Sequence, residues 1–201
     1  MANTSRIFGF KPVKHQNGSP YNGQSNLYYF KSSDATAAYI GDAVKLAGGA
    51  DAAPANYPSY GSAPAVTLAA AGDAIVGIIV GFVADPTNLN VAGTGRAAST
   101  ARFCWVADAT DLVLEVEESN GTLTTANIGK NINHAVGAPS ATLARSGATV
   151  DVATIATTAT LTFNLRGFVP RDDVDNTAAS AKVWVTINNH QLGAGTGAAG
   201  V

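Results

Sequence analysis

The sequence predicts a mostly β protein, either a single antiparallel β-barrel or a jelly-roll-like sandwich. In several segments apolar and polar side chains alternate with a period of two residues, which is typical of half-buried antiparallel strands. No segment combines helical length with an apolar stripe. We therefore expect one domain of roughly eight to ten strands, whose sheet closes or folds over so that few strand edges stay exposed.

The clearest alternation lies in residues 111–117, 159–169 and 181–191. Within 181–191, Val185 is on the apolar face, and Trp184 is on the opposite, polar face. Shorter candidate strands are 27–31, 40–46, 76–82, 102–106 and 149–155.

Local signals refine this pattern. Gly77 and Gly81 share one face of a candidate strand and indicate a tight coil of the strand, a bulge or a close backbone approach. Asn120-Gly121 suits a type I′ turn, so we expect a β-hairpin there. Glu115 and Glu117 alternate along the preceding strand and are expected to form its solvated face.

Three segments fall outside the strand pattern around the predicted domain, residues 26–192. Residues 1–25 form a polar N-terminal arm, 47–72 an extended Pro/Ala/Gly-rich loop, and 193–201 a flexible C-terminal tail. Ordering about 25 residues costs roughly 25–50 kcal/mol of backbone entropy. Burial of about 1000–2000 Å² of apolar surface would offset that cost. We therefore expect the arm and the loop to become ordered only in an assembly.

Composition narrows the function classes. Charged residues make up 13% of the chain, against about 25% in typical domains. The net charge is −2 and the pI about 5.8, which argues against a nucleic-acid binder and against attachment to an anionic membrane. With one cysteine there is no internal disulfide, which fits a reducing compartment, and no secretory signal is visible at the N-terminus.

No motif predicts catalysis, a cofactor or a metal site. Cys104 is expected to be an inert packing residue between two aromatic side chains. The three histidines lack metal-ligand spacing, and the acidic cluster at 172–175 lacks that of a calcium loop. Gly93-Thr94-Gly95-Arg96 lacks the residues of a phosphate loop and is interpreted as a turn. We expect a protein that is not an enzyme.

Several ordered segments resemble the capsid decoration, or cement, proteins of tailed bacteriophages. They are Ile40–Leu46, Gly77–Phe82, Cys104–Asp108, Leu114–Glu118, Asn127–Asn131, Leu165–Arg171 and Val183–His190. The resemblance implies a β-barrel or jelly-roll-like protein that binds the outer surface of a phage head as a homo-oligomer, a dimer or trimer. It would bridge neighbouring major capsid protein subunits, after synthesis in the host cytoplasm, without catalytic residues.

The expected contact positions are aromatic side chains of the arm, the loop and a polar strand face. They are Phe8, Phe10, Tyr57, Tyr60 and Trp184. For Trp184 a second interpretation stays open, in which an arm or loop of the same chain covers it. Two other functions remain as alternatives: a tail, connector or fibre component, and a carbohydrate-binding module that uses Trp184.

Overall fold

The computed structural model describes residues 3–51, 61–85, 89, 95–193 and 197–200. Within them the protein is a β structure that includes a short 3-10 turn at Thr125–Asn127. The prediction of a mostly β fold is confirmed. The strands are β1 (Lys11–His15), β2 (Asn26–Phe30), β3 (Ala43–Asp51), β4 (Ala63–Leu68), β5 (Gly77–Phe82), β6 (Arg102–Ala107), β7 (Leu112–Ser119), β8 (Asn131–Ala135), β9 (Thr149–Ala156), β10 (Phe163–Phe168) and β11 (Lys182–Ile187).

The first half of the chain closes into a five-stranded barrel in the order β2-β4-β3-β5-β6. All of its pairings are antiparallel except β2 with β4. Its interior holds a compact apolar cluster that includes Phe30, Val66 and Ile79. Cys104 is fully buried in the same cluster, and burial raises the pKa of its thiol.

The second half of the chain, together with β1 of the N-terminal arm, forms a six-stranded sheet in the order β1-β7-β11-β10-β8-β9. Parallel pairing of Glu118 with Val150 and of Ser119 with Asp151 joins β9 back to β7. Five strands of this sheet therefore also make a closed ring of pairings, to which β1 is added along β7.

One hydrophobic core joins the barrel and the sheet. It combines Ala43 and Ile78 of the barrel with Leu114, Phe163 and Val185 of the sheet, all nearly inaccessible to solvent. The two halves of the chain therefore pack as one body.

The N-terminal arm is part of this body, which corrects the expectation that it is ordered only in an assembly. Residues 11–15 of the arm are β1, paired with β7. Phe10 is 2% exposed and stacks on Phe163 with ring centroids 4.6 Å apart. The apolar surface that offsets the ordering cost is thus supplied by the chain's own sheet.

The predicted loop and tail also differ from expectation. The region 47–72 contains the end of β3 and all of β4, which pair with each other. In the tail, Ala198 exchanges hydrogen bonds with two asparagines: its N–H donates to Asn188 Oδ1 at 3.0 Å, and its carbonyl accepts from Asn131 Nδ2 at 2.7 Å. The described tail residues 197–200 are therefore attached to the sheet.

Two local predictions on β7 are wrong. Asn120 has the expected positive φ of 57°, but no hairpin follows, because β7 pairs only with β1, β11 and β9 among the described strands. Glu115 and Glu117 are 7% and 3% exposed rather than solvated. The residues that bury them lie far away in the sequence.

The predictions for the two glycines of β5 are confirmed. A Cβ on Gly77 would lie 2.3 Å from the carbonyl oxygen of Ala107, so the backbones approach too closely for any side chain. The register between β5 and β6 shifts between Ile79 and Gly81, which places a β-bulge there.

Candidate interaction surface

Residues 3–10 of the arm run across the polar face of β7 and β11. At one end, the Asn3 amide donates to the carbonyls of Asp175 and Ala179 at 2.8 and 3.0 Å, and its Oδ1 accepts from the N–H of Asp175 at 2.7 Å. At the other end, the N–H of Phe10 donates to Gly41 O at 2.9 Å. The arm is therefore fixed at both ends of this crossing.

A buried ion pair lies beneath the arm. Lys182 Nζ is 2.6 Å from Glu117 Oε2, and both side chains are nearly inaccessible. Burial by itself would raise the pKa of Glu117, but bonds from the Arg6 N–H, the Lys182 ammonium and the Ser5 hydroxyl together hold it below its ordinary value of 4.5. The arm thus takes part in satisfying a charge that the sheet alone would leave incompletely paired.

Two glycines allow the arm to meet the rest of the chain. Gly9 and Gly41 have φ of +67° and +96°, a region that favours glycine. A Cβ on Gly9 would lie 2.7 Å from both Gly41 O and Ser146 Cβ. At this point the arm, the turn before β3 and the loop before β9 lie in direct contact.

A groove opens beside this junction, and we call it the arm groove. Its volume is about 510 Å³, within the range of about 300–1000 Å³ usual for ligand pockets. Its apolar lining comes from the arm, from β5 and from Ile40 in the segment before β3, and its basic lining comes from the arm and from the loop before β9. The lining residues are Phe8, Phe10, Lys11, Pro12, Tyr21, Ile40, Ile79, Val80 and Arg145.

The arm groove combines apolar surface with available positive charge. Lys11 and Arg145 are exposed, and neither forms an ion pair with another described residue. Ile7 and Leu143, close in sequence to groove residues, are 44% and 64% exposed. Exposed apolar side chains beside unpaired cations are typical of a surface that contacts another molecule.

A second groove follows the open part of the same sheet face, and we call it the tryptophan groove. Its centre is lined by Lys14, His15, Gln16, Gly18, Val113, Arg166, Trp184 and Thr186, with a volume of about 320 Å³. Lys14 Nζ lies 3.8 Å from the centroid of the Trp184 ring, a cation–π contact. An adjoining pocket of about 440 Å³ shares Gln16, Arg166 and Thr186 and extends to the C-terminal tail.

The sequence-predicted contact residues fall into three groups. Phe8 is half-buried and lines the arm groove. Phe10 also lines that groove, but it is 2% exposed and packs in the core, and its role as a contact position stays a prediction. Trp184 is half-buried beneath Lys14 of the arm, as the same-chain interpretation expects. Tyr57 and Tyr60 lie outside the described residues.

Other titratable residues serve the fold. The Arg96 guanidinium, almost fully buried, donates to the carbonyls of Lys31, Asp34 and Thr36 and holds that turn. Asp175 accepts from both the N–H and the hydroxyl of Thr177. Over the part of the chain that the structure describes, no group of three or more His, Cys, Asp or Glu residues is arranged to hold a metal ion. Within the same residues no helix is long and apolar enough to cross a membrane.

Comparison with family models, with curated proteins and with solved structures gives no match to this chain. The description of the two grooves therefore rests on the residues that line them in this structure. Sequence reasoning missed Lys11, Lys14, Arg145 and Arg166, the cations of the two grooves. One signal was available for β1: proline is tolerated in edge strands, so Pro12 is compatible with an edge strand at residues 11–15.

Proposed function

We propose that this protein is a structural component of a bacteriophage particle, a capsid decoration protein that binds the outside of the head. It acts without catalysis, as a homo-oligomer that links neighbouring major capsid protein subunits. Binding to the assembled shell and not to its separate subunits would stabilise the shell by mass action. Repetition over a symmetric lattice would multiply modest individual affinities.

The observation that carries this proposal is the arm groove. It is apolar along Phe8 and Val80, and it has two cations, Lys11 and Arg145, that form no ion pair with another described residue. Charge complementarity favours one occupant, a segment of the major capsid protein that presents an apolar side chain beside carboxylates. Burial of the apolar side chain would supply affinity, and the carboxylates would fix its orientation.

The resemblance to decoration proteins also supports the proposal, because it involves the strands that form the fold. Its segments fall mainly on strands of the barrel and the sheet, including β5, β6, β10 and β11. The resemblance therefore concerns residues that build the core and the sheet order, and not only exposed loops.

Location in purified particles is the first test. We expect many copies per particle, accessible to antibody on the head surface in electron micrographs. Few copies, placed on the tail or its fibres, would overturn the decoration role and favour a tail, connector or fibre component.

Charge reversal in the arm groove is the second test. Lys11→Glu combined with Arg145→Glu places two negative charges where the proposed segment carries its own. We expect the double variant to bind undecorated heads at least about tenfold more weakly, the equivalent of about 1.4 kcal/mol. Lys130→Glu, a half-buried lysine outside the arm groove, is the matched control and should bind like the wild type. Equal binding by the double variant and the wild type would exclude this groove as the contact.

A further inference from the structure

The tryptophan groove crosses four adjacent strands, and its side chains are in register. Lys14 of β1 pairs with Val113 of β7, which pairs with Thr186 of β11, which in turn pairs with Asn164 of β10. Residues opposite each other in antiparallel strands lie on the same face, and so does Trp184, two positions from Thr186. The groove is therefore a continuous surface across the sheet.

Two β-bulges position its cations. The register of β1 shifts between Pro12 and Lys14, and that of β10 shifts between Leu165 and Gly167, so Arg166 is the extra residue there. A bulge redirects neighbouring side chains, and bulges are frequent beside binding sites. Here both bulges lie on strands that flank β7 and β11. The bulge of β1 is next to Lys14, and the bulge of β10 is at Arg166 itself, and both cations line the groove.

The polar groups of Arg166 are only partly used within the chain. Its Nε donates to Thr186 Oγ1 at 3.0 Å, and no described residue forms an ion pair with it or with Lys14. No acidic residue is among the described residues that line the groove or the pocket adjoining it. The terminal guanidinium nitrogens of Arg166 and the Lys14 ammonium are thus available to an external anion.

We propose that the tryptophan groove binds an acidic oligosaccharide, a chain of sugars that carry carboxylates. The part of the half-buried Trp184 ring that Lys14 leaves exposed offers an apolar surface for the C–H groups of one sugar ring. Lys14 and Arg166, on either side of β11 and β7, bind carboxylates of the bound chain. Gln16 and Thr186 provide hydrogen bonds to hydroxyls.

This proposal does not depend on the decoration role, because the two grooves share no lining residue. The arm groove is mostly apolar and suits a protein segment. The tryptophan groove has an amide, a hydroxyl and a half-buried indole beside its cations, which suits a ligand rich in hydroxyl groups.

Calorimetric titration of the full chain provides the test. The probes are tetragalacturonate, a hyaluronan tetrasaccharide and a disialic acid, and the control ligand is the full methyl ester of tetragalacturonate. We expect at least one acidic probe to bind. If tetragalacturonate binds, its methyl ester, which keeps the hydroxyls but lacks the charges, should bind at least about tenfold more weakly. No binding of any acidic probe at millimolar concentration would overturn the proposal.

Variants then locate the site. Arg166→Ala and Trp184→Ala should each weaken the binding of that probe about tenfold or more, and Lys11→Ala, a lysine of β1 that lines the other groove, should not. Arg166 is exposed, so its variant keeps the test valid if Trp184→Ala fails to fold. Unchanged affinity of the Arg166→Ala variant, or equal binding of single-stranded oligothymidylate by the wild type, would contradict a specific acidic-sugar site.

Discussion

The Lys182–Glu117 pair shows how one residue depends on a distant part of the chain. Glu117 accepts the Arg6 N–H 111 positions away, and the Lys182 ammonium lies 5.9 Å from the centroid of the Phe8 ring. Alternation along β7 correctly indicated that Glu117 and Val116 point to opposite faces. It could not indicate burial of both faces, because the cover comes from the arm.

Removing one member of the pair should be costly. Lys182→Met leaves a buried carboxylate without its cation, so we expect a loss of about 3–5 kcal/mol in the free energy of unfolding. Lys11→Met removes an exposed, unpaired lysine and should change stability by no more than about 0.5 kcal/mol. Urea unfolding followed by circular dichroism measures both. Similar losses in the two variants would show that the pair contributes little.

The adjacent carboxyls Glu117 and Glu118 should respond to pH with opposite signs. The pKa of Glu117 is lowered, so its charge contributes stability above the unfolded value of 4.5, and this is lost as pH falls through the folded pKa. The pKa of Glu118 is raised, first by burial, so its charge costs stability at neutral pH and the cost disappears as pH falls below 4.5.

Substitution by glutamine separates the two effects. Relative to the wild type, Glu118→Gln should be more favourable to stability at pH 7 than at pH 4. Glu117→Gln should be less favourable at pH 7 than at pH 4. Urea unfolding of both variants at the two pH values measures this. A pH dependence of the same sign in the two variants would contradict the assigned shifts.

Among the elements, strand β5 contains a pair of glycines that differ in their surroundings. A Cβ on Gly77 would collide with the Ala107 carbonyl, which belongs to the neighbouring strand β6, whereas the nearest atom to a Cβ on Gly81 is Trp105 Cδ1 at 3.8 Å. Both are glycines of the same strand, and neither has a φ in the positive region that favours glycine.

We expect Gly77→Ala to destabilise the protein by about 1–3 kcal/mol or more, because the strands must separate to admit the methyl group. Gly81→Ala should be near neutral, within about 1 kcal/mol of the wild type. Thermal unfolding of the two variants gives the comparison. A larger loss at Gly81 than at Gly77 would mean that the close approach to β6 does not limit the side chain at position 77.

The elements that were predictable from sequence have a clear alternation or a steric signal. In strands β7, β10 and β11 apolar and polar residues alternate with a period of two. The two glycines of β5 correctly predicted a bulge and a close backbone approach. Three strands were missed for identifiable reasons. Strand β1 contains Pro12 and two lysines, β4 begins Ala63-Pro64-Ala65 in a region rich in small residues, and β8 carries asparagines at alternate positions.

Of the two grooves, sequence reasoning identified aromatic members but not the cations. Phe8 and Trp184 were recognisable as aromatic residues in polar surroundings. Arg145 and Lys11 could not be linked, because the positive φ at Gly9 and Gly41 and the contact with Ser146 bring their segments together. Arg166 faces the tryptophan groove through a bulge, which alternation alone does not reveal.

At the scale of the whole molecule, the shared core makes the barrel and the sheet interdependent. Each contains one of the chain's two tryptophans, Trp105 in β6 and Trp184 in β11. Because Ile78 of the barrel packs in the same cluster as Leu114 and Val185 of the sheet, we expect the two halves to unfold in a single cooperative transition.

The two tryptophans report on this separately. Trp184→Phe leaves fluorescence from the barrel, and Trp105→Phe leaves fluorescence from the sheet. Within each variant, the urea midpoint measured by fluorescence should coincide with that measured by circular dichroism. A fluorescence midpoint that differs from the circular dichroism midpoint in either variant would show that barrel and sheet unfold independently.

The burial of Cys104 inside the barrel has a chemical consequence in oxidising surroundings. A thiol reacts with oxidants and electrophiles as its thiolate, and burial both raises the pKa of this thiol and shields it from reagents. Since it is the only cysteine of the chain, the native protein should neither crosslink nor become sulfenylated in air-saturated water. A molecule with this property can leave a reducing environment and persist without a covalent change.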